Sequence, residues 1–421
     1  MAAQATQALS SFLLMAAAAR TLSLGELGIL SVLYGSLVLC AAITSGFVGD
    51  SLTVLDRHQH AVRAGLQGWM MLLAGGCALA APVVALASGL VTGWQAVLFG
   101  GAVWGYLVED VLRRLLMARL FFIRIVLVDA AVLSVTVGIV LVAGALEPLT
   151  INVFLAAIVA GQLTGACLGV LLAGRGERYW VRLSGAAWRT VARYGAWRAA
   201  QQMLRPGLLT VMRLLIVALI ALEASGEVEV ARVYAAPAML MVAGLSSYLF
   251  ATFARRTEDS TALLLRRADK GVGLLMVVTV ACGAVALAVL PFAGPLATGR
   301  EPDTLAVAGW LAFAVAIAAV SPYGALAAVR SGSSRVFGIR LADTVLSLGV
   351  LWLVLDLTGN YALAPLAAAA GSLLGGAAIR FILLVPLRSR EGTGAAPIPA
   401  APNATTSAPA VKTTKKLETN A

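Results

Sequence analysis

The chain of 421 residues is 60% hydrophobic and 12% charged, and its formal net charge is +11. A water-soluble globular domain is nearer ~45–50% apolar and ~25% charged, so this composition excludes a soluble fold and indicates an integral membrane protein. The four cysteines are scattered through apolar runs, and His58 and His60 have no further metal-ligating residue nearby in the sequence. We therefore expect no metal site and no cofactor.

Apolar runs long enough to cross a bilayer recur along the chain, since a helix needs about 20 apolar residues to span a ~30 Å hydrocarbon core. The first run lacks a basic leader and an AxA-like cleavage site, so we expect a retained helix rather than a signal peptide. The pattern predicts an all-α polytopic membrane protein. Its twelve transmembrane helices are expected near residues 3–19, 27–47, 64–88, 93–108, 126–146, 151–173, 199–222, 230–254, 271–293, 304–329, 336–357 and 361–385.

A long polar segment in the middle of the chain divides the helices into six plus six. We predict an N-terminal six-helix lobe at 1–173, a cytoplasmic linker at 174–198 and a C-terminal six-helix lobe at 199–386. Such a layout is typical of transporters built from an internal repeat. Residues 387–421 are rich in proline, alanine and threonine, a composition that cannot build a core, so we predict a disordered cytoplasmic tail.

Basic residues are distributed unevenly between the two sets of connections. The tail and the connections after even-numbered helices hold 25 of the 31 arginines and lysines, whereas those after odd-numbered helices hold Arg20, Arg232 and Arg300 together with acids such as Glu229. Because cytoplasmic loops are enriched in basic residues, we expect a multi-pass protein of the inner (cell) membrane with both termini in the cytoplasm. Its basic residues are expected to face anionic membrane lipids and not nucleic acid.

Helix 7 carries a polar stripe that runs from the expected cytoplasmic face to the middle of the membrane. At 100° per residue, Arg198, Gln202, Arg205 and Arg213 fall within an arc of about 80°. An arginine near the centre of a transmembrane helix costs roughly 2.5–3.5 kcal/mol on insertion scales, so Arg213 should face a cavity or a partner.

Helix 1, the expected counterpart of helix 7 in a repeat, has Gln4, Gln7 and Ser11 on one face. Two equivalent helices with polar faces predict a central water-filled cleft between the lobes. A cationic stripe there suits an anionic substrate such as a phosphate or pyrophosphate group, because guanidinium matches phosphate geometry. The alternative interpretation is that the helix 7 arginines pair with internal acids or carbonyls and only hold helices together.

Two aspartates occupy similar positions in the two halves of the chain. Asp129 and Asp343 lie near the expected cytoplasmic ends of helices 5 and 11, and each is followed by the tripeptide Val-Leu-Ser. They are candidates for a proton or sodium relay. The alternative is interfacial pairing with nearby arginines, Arg124 and Arg340.

A catalytic set is not visible in the sequence. The chain has no Walker A, GxSxG or HExxH motif, and the exported connections are short. We therefore expect a transporter and not an enzyme.

Three segments carry a family resemblance. Ala19–Gly28 reads ARTLSLGELG and is similar to the turn between the first two helices of polysaccharide-transport flippases, and the Arg-rich residues 113–124 are similar to the turn before the fifth helix of those proteins. Tyr194-Gly195 and Tyr234-Ala235-Ala236 resemble the residues that open their helices 7 and 8. On these motifs the chain resembles a lipid-linked oligosaccharide flippase of the multidrug/oligosaccharidyl-lipid/polysaccharide (MOP) exporter superfamily.

The resemblance implies a MATE-like pair of six-helix lobes, alternating access, and movement of a polyprenyl-pyrophosphate-linked oligosaccharide from the inner to the outer leaflet for cell-surface polysaccharide synthesis. It also implies glycosyltransferases or a polymerase of the same pathway as partners. The chain departs from the family at Met212, where many members have an acidic residue before the helix 7 arginine. Two alternatives remain open: a MATE-like drug or cation antiporter, which would need acidic cavity residues, and a membrane enzyme of glycan assembly.

Overall fold

The computed structural model describes residues 2–174, 181–255, 259–330 and 333–387. The predicted disordered tail beyond residue 387, and part of the predicted linker, lie outside the described residues. Every regular element within these ranges is helical, and ten of the helices are long and apolar enough to cross a membrane. The predicted all-α polytopic fold is confirmed.

The described ranges contain twelve long helices. In chain order they are α1 (Ala2–Thr21), α2 (Leu24–Thr44), α3 (His60–Ala87), α4 (Gly93–Ala118), α5 (Phe122–Leu146), α6 (Ile151–Leu172), α7 (Trp188–Leu219), α8 (Leu222–Arg255), α9 (Thr261–Thr298), α10 (Thr304–Arg330), α11 (Ser333–Thr358) and α12 (Ala364–Ala378). A π-helical turn, Ser45–Gly49, joins α2 to a last helical turn at Asp50–Val54, and a second π-helical turn, Ile379–Leu384, follows α12.

Four helices extend well beyond their predicted bounds, and one of them, α9, begins ten residues early, at Thr261. α4 continues to Ala118 and so includes Arg113, which we had placed in a connection. α8 begins at Leu222, so Glu229 and Arg232 lie inside a helix and not in an exported connection. α7 begins at Trp188, within the segment expected to be linker. These helix ends contain charged residues, and charge alone does not end a helix when the side chains find partners inside the protein.

The two sets of six helices pack in the same way. In the first set α4 packs on α2, α3 and α6, and α5 packs on α1 and α6. In the second set α10 packs on α8, α9 and α12, and α11 packs on α7 and α12. Adding six to each helix number converts the first pattern into the second. This agreement supports the predicted repeat of two six-helix lobes.

The lobes meet at one end of the bundle where α2 crosses α8. A Cβ atom on Gly28 would overlap the carbonyl oxygen of Leu222, and a Cβ atom on Gly226 would overlap that of Leu24. The two contacts are reciprocal, as expected of a pseudo-twofold axis. We call this end of the bundle, which carries the connections after odd-numbered helices, the acidic end, and the other the basic end.

A second contact closes the acidic end between α1 and α9. Arg300 donates from Nε to the Ala19 carbonyl at 3.0 Å, and Arg20 donates to the carbonyl of Leu296. Two arginines that we expected in exported connections therefore bind the backbone of the opposite lobe. The lobes are therefore joined at the acidic end by two sets of contacts, α2 with α8 and α1 with the end of α9.

Candidate substrate-binding cleft

The first part of the α7 stripe is bound to α2 at the basic end. Arg198 forms an ion pair with Asp50 Oδ2 at 2.6 Å, and Gln202 donates to the same oxygen at 2.9 Å. Arg114 of α4 binds Asp50 Oδ1 at 3.0 Å. Asp50 thus links the two lobes, and Arg198 and Gln202 are engaged with the protein itself.

Arg213 is also paired. Its side chain is 8% exposed and lies 3.3 Å from Glu229 Oε2, while Arg232 donates from Nε to Glu229 Oε1 at 2.8 Å. The Arg213 guanidinium packs on Gly35 of α2, where Thr210 donates to the Gly35 carbonyl at 3.0 Å. The prediction that Arg213 has a cavity or a partner is met by a partner, the carboxylate of Glu229, which is 2% exposed.

Arg205 differs from the rest of the stripe because its side chain is exposed. Its guanidinium lies 5.8 Å from the centroid of the Phe313 ring on α10. The Arg340 guanidinium of α11 packs on Gly324 of α10. Within the described ranges neither arginine forms an ion pair with a carboxylate. Two neighbouring guanidinium groups without a bound carboxylate make this wall of the C-terminal lobe strongly positive.

The polar face of α1 lines a different space. Gln7 and Ser11 border a cavity of about 300 Å³ inside the N-terminal lobe, together with Tyr34 of α2 and Tyr106 of α4. Gln4 lies in α1, but its side chain is outside the described part of the structure. No hydrogen bond or ion pair between described residues joins this face to the α7 stripe.

Charged residues at the floor of this N-terminal cavity form a buried network. Arg113 lies 2.8 Å from Asp129 Oδ1 and 3.9 Å from Glu109 Oε1, and it donates to Gln7 Oε1 at 2.8 Å. The partner of Asp129 is therefore Arg113 of α4, and Arg124, which we had considered, donates instead to the Leu172 carbonyl. Two carboxylates share one guanidinium, so the network is negative when both are ionised.

Asp343 occupies the C-terminal lobe and does not meet Asp129. Its carboxyl group packs on Gly375 of α12, and Ser347 Oγ donates to it at 3.5 Å. Arg340, three residues earlier on α11, is close enough to act on it electrostatically, although the two form no ion pair. The two aspartates thus belong to separate environments, as expected for equivalent positions in two lobes.

Glu109, Arg113, Glu229 and Arg232 are functional candidates that hydropathy missed. Each occurs in an i,i+4 or i,i+3 pair of opposite charge, Glu109 with Arg113 and Glu229 with Arg232. Such spacing favours a continued helix over a connection. It is the signal in the sequence that could have extended α4 and α8 and brought these residues into the bundle.

Comparisons with known proteins identify the fold. No protein-family profile matches the chain, and no curated protein matches it. Among solved structures, an inward-facing multidrug resistance MATE family transporter of the MOP superfamily has a TM-score of 0.71 at 12% identity, with 93% of this chain and 96% of that chain covered. An outward-facing structure of a multidrug resistance MATE family transporter of the MOP superfamily has a TM-score of 0.61 at 12% identity, with 93% of this chain and 94% of that chain covered. A eukaryotic MATE transporter gives 0.61 at 14% identity, with 92% and 97% covered.

These similarities show that the chain has the fold of MATE transporters. The similarity covers 93% of the chain, and ten helices of the described residues are long and apolar enough to cross a membrane.

Proposed function

We propose that this protein is a flippase that moves a polyprenyl-pyrophosphate-linked oligosaccharide from the inner to the outer leaflet by alternating access. The observation that carries the proposal is that Arg205 of α7 and Arg340 of α11 both lie against α10 in the wall of the C-terminal lobe. Both guanidinium groups lie within the helix bundle, and neither is bound to a carboxylate of the described chain.

The chemistry of such a pair favours a polyanion. Like charges on one wall repel each other, and an anion bound to both offsets that repulsion. A pyrophosphate offers oxygens to both guanidinium forks at once, which a carboxylate cannot do as well.

In the proposed transport cycle the basic end opens to admit the substrate. The contacts of Gly28 and Gly226 close the acidic end, and the fold is more similar to the inward-facing than to the outward-facing relative. With the basic end in the cytoplasm, as the distribution of arginine predicts, substrate would enter from the inner leaflet. Asp129 and Asp343 remain our candidates for coupling to protons or sodium, and glycosyltransferases or a polymerase remain the expected partners.

An export assay tests this function. In cells that need the protein for a surface glycan, Arg205→Gln and Arg340→Gln should each reduce export about 10-fold or more, since a hydrogen bond to a charged group is worth about 1.5–3 kcal/mol. The protein should stay in the membrane at wild-type levels. Arg335→Gln removes an exposed arginine of α11 outside the pair and should export normally. Normal export by the Arg205→Gln/Arg340→Gln double variant would overturn the proposal.

A second candidate, a drug or cation antiporter, is favoured by the N-terminal cavity. Glu109 and Asp129 face it with one arginine between them, an arrangement that could bind an organic cation. The related solved structures include multidrug resistance transporters. In this case the chain should extrude a cationic dye such as ethidium, and Asp129→Asn should abolish extrusion while Arg205→Gln leaves it intact. A flippase should show no dye extrusion above that of cells without the protein.

A further inference from the structure

The N-terminal lobe has a slot of about 210 Å³ at its basic end, bordered by the two helical turns that follow α2 and by α3, α4 and α6. Its lining is apolar, with side chains such as Leu66 and Met70 of α3 and Leu112 of α4, except for Arg57, Arg63 and Gln67. The slot is separate from the cleft described above: Leu112 faces it, whereas the next residue on α4, Arg113, belongs to the buried network of the N-terminal cavity.

The polar and apolar parts of the slot lie at different depths. Arg57 lies in the connection between α2 and α3, where it donates to the Leu52 carbonyl at 3.4 Å, and Arg63 lies in the first turn of α3. The apolar lining reaches Val108, ten residues before the end of α4 and hence about 15 Å from the basic end. With the basic end at the membrane surface, as the distribution of arginine predicts, the slot would run from the level of lipid headgroups into the hydrocarbon region.

We propose that this slot binds one anionic phospholipid of the leaflet at the basic end. The phosphate would lie on the guanidinium groups of Arg57 and Arg63, and an acyl chain would lie along Leu66, Met70 and Leu112. Basic pockets between transmembrane helices are suited to anionic headgroups, and guanidinium binds phosphate with two parallel hydrogen bonds. An acyl chain fills an apolar slot at low cost, whereas a water molecule there would find few hydrogen-bond partners.

The occupant is a lipid and not a soluble anion, because the two arginines and the deeper apolar side chains line the same slot. A free phosphate would use the two arginines and leave the deeper slot empty. A zwitterionic lipid would fill the slot but bring a positive group near the arginines. An anionic phospholipid uses both parts. Bound there, it would brace α3 against α4, the helix that carries the Glu109 and Arg113 side chains of the N-terminal cavity.

Native mass spectrometry of the purified full-length chain tests the proposal. Titrated with phosphatidylglycerol or phosphatidylcholine in detergent, the wild type should retain one phosphatidylglycerol with clear preference over phosphatidylcholine. Arg57→Gln/Arg63→Gln should bind phosphatidylglycerol about 30-fold more weakly, since each basic residue near a lipid surface contributes about a factor of five. A control with the same loss of charge is Arg266→Gln/Arg335→Gln, two exposed arginines at the basic end away from the slot, and it should bind like the wild type.

A second variant keeps the test decisive if loss of the buried Arg63 side chain impairs folding. Leu112→Trp fills the apolar slot without changing charge, and it should also prevent retention of phosphatidylglycerol. Equal retention of the two lipids by the wild type, or wild-type retention by Leu112→Trp, would overturn the proposal. Neither result depends on what the protein transports.

Discussion

Replacing Glu229 by glutamine should destabilise the protein more than replacing either of the arginines that it binds. The Arg213 side chain is 8% exposed, so in Glu229→Gln its charge would be left buried beside a neutral amide. Removing one partner of a buried ion pair costs about 3–5 kcal/mol. Arg232, whose side chain is 22% exposed, can turn toward the polar cleft and adds less to that cost.

Arg213→Gln should cost less, about 1.5–3 kcal/mol, because Glu229 keeps its contact with Arg232. Thermal unfolding of the purified variants in detergent measures which single variant loses more stability. The double variant Arg213→Gln/Glu229→Gln should be more stable than Glu229→Gln alone, since removing Arg213 removes the unpaired charge. A Glu229→Gln variant as stable as the wild type, or a double variant with the summed loss of both single variants, would refute the ion-pair role given to Arg213.

Three further predictions concern the contacts between the lobes. Gly28→Leu should prevent closure of the acidic end, because the leucine side chain would occupy the position of the Leu222 carbonyl. Cysteines introduced at that end should become more accessible to a labelling reagent, and unchanged accessibility would contradict the crossing geometry. The double variant Ser31→Cys/Ser225→Cys should form a disulfide crosslink, since the two serine hydroxyl oxygens are 3.2 Å apart. The crosslink should stop transport until a reductant is added, and transport by the crosslinked protein would argue against alternating access. Asp50→Asn weakens the contact between the lobes at the basic end and should shift the population away from the conformation described here. Unchanged labelling of cysteines introduced at both ends would count against the role of Asp50 in joining the lobes.

The helices of this protein could be predicted from hydropathy, but not their charged ends. Twelve apolar runs correspond to twelve helices, because a bilayer requires long apolar segments whatever their tertiary contacts. Hydropathy ends a helix at a charge. It therefore placed Arg113 and Glu229 in connections, although both lie in helices and bind oppositely charged side chains within the bundle.

The helical periodicity of α7 predicted which residues share a face of the helix, but not which residues they contact. It placed Arg198 and Gln202 on one face, and both do bind the same carboxylate of Asp50. That carboxylate lies 148 residues away in the chain, and a sequence pattern on one helix does not show what packs against it. For the same reason the sequence could not separate Arg205, which is not ion-paired with any described residue, from Arg213, which is bound to Glu229.

The most direct test of the proposed function is translocation by purified protein in liposomes. A polyprenyl-pyrophosphate-linked sugar would be incorporated on one side, and its arrival on the other would be followed with a membrane-impermeant enzyme that cleaves the sugar. We expect the wild type and Arg266→Gln/Arg335→Gln to move the lipid, and Arg205→Gln/Arg340→Gln to fall to the rate of protein-free liposomes. Translocation at the wild-type rate by Arg205→Gln/Arg340→Gln would contradict the assignment of these two arginines as the pyrophosphate site.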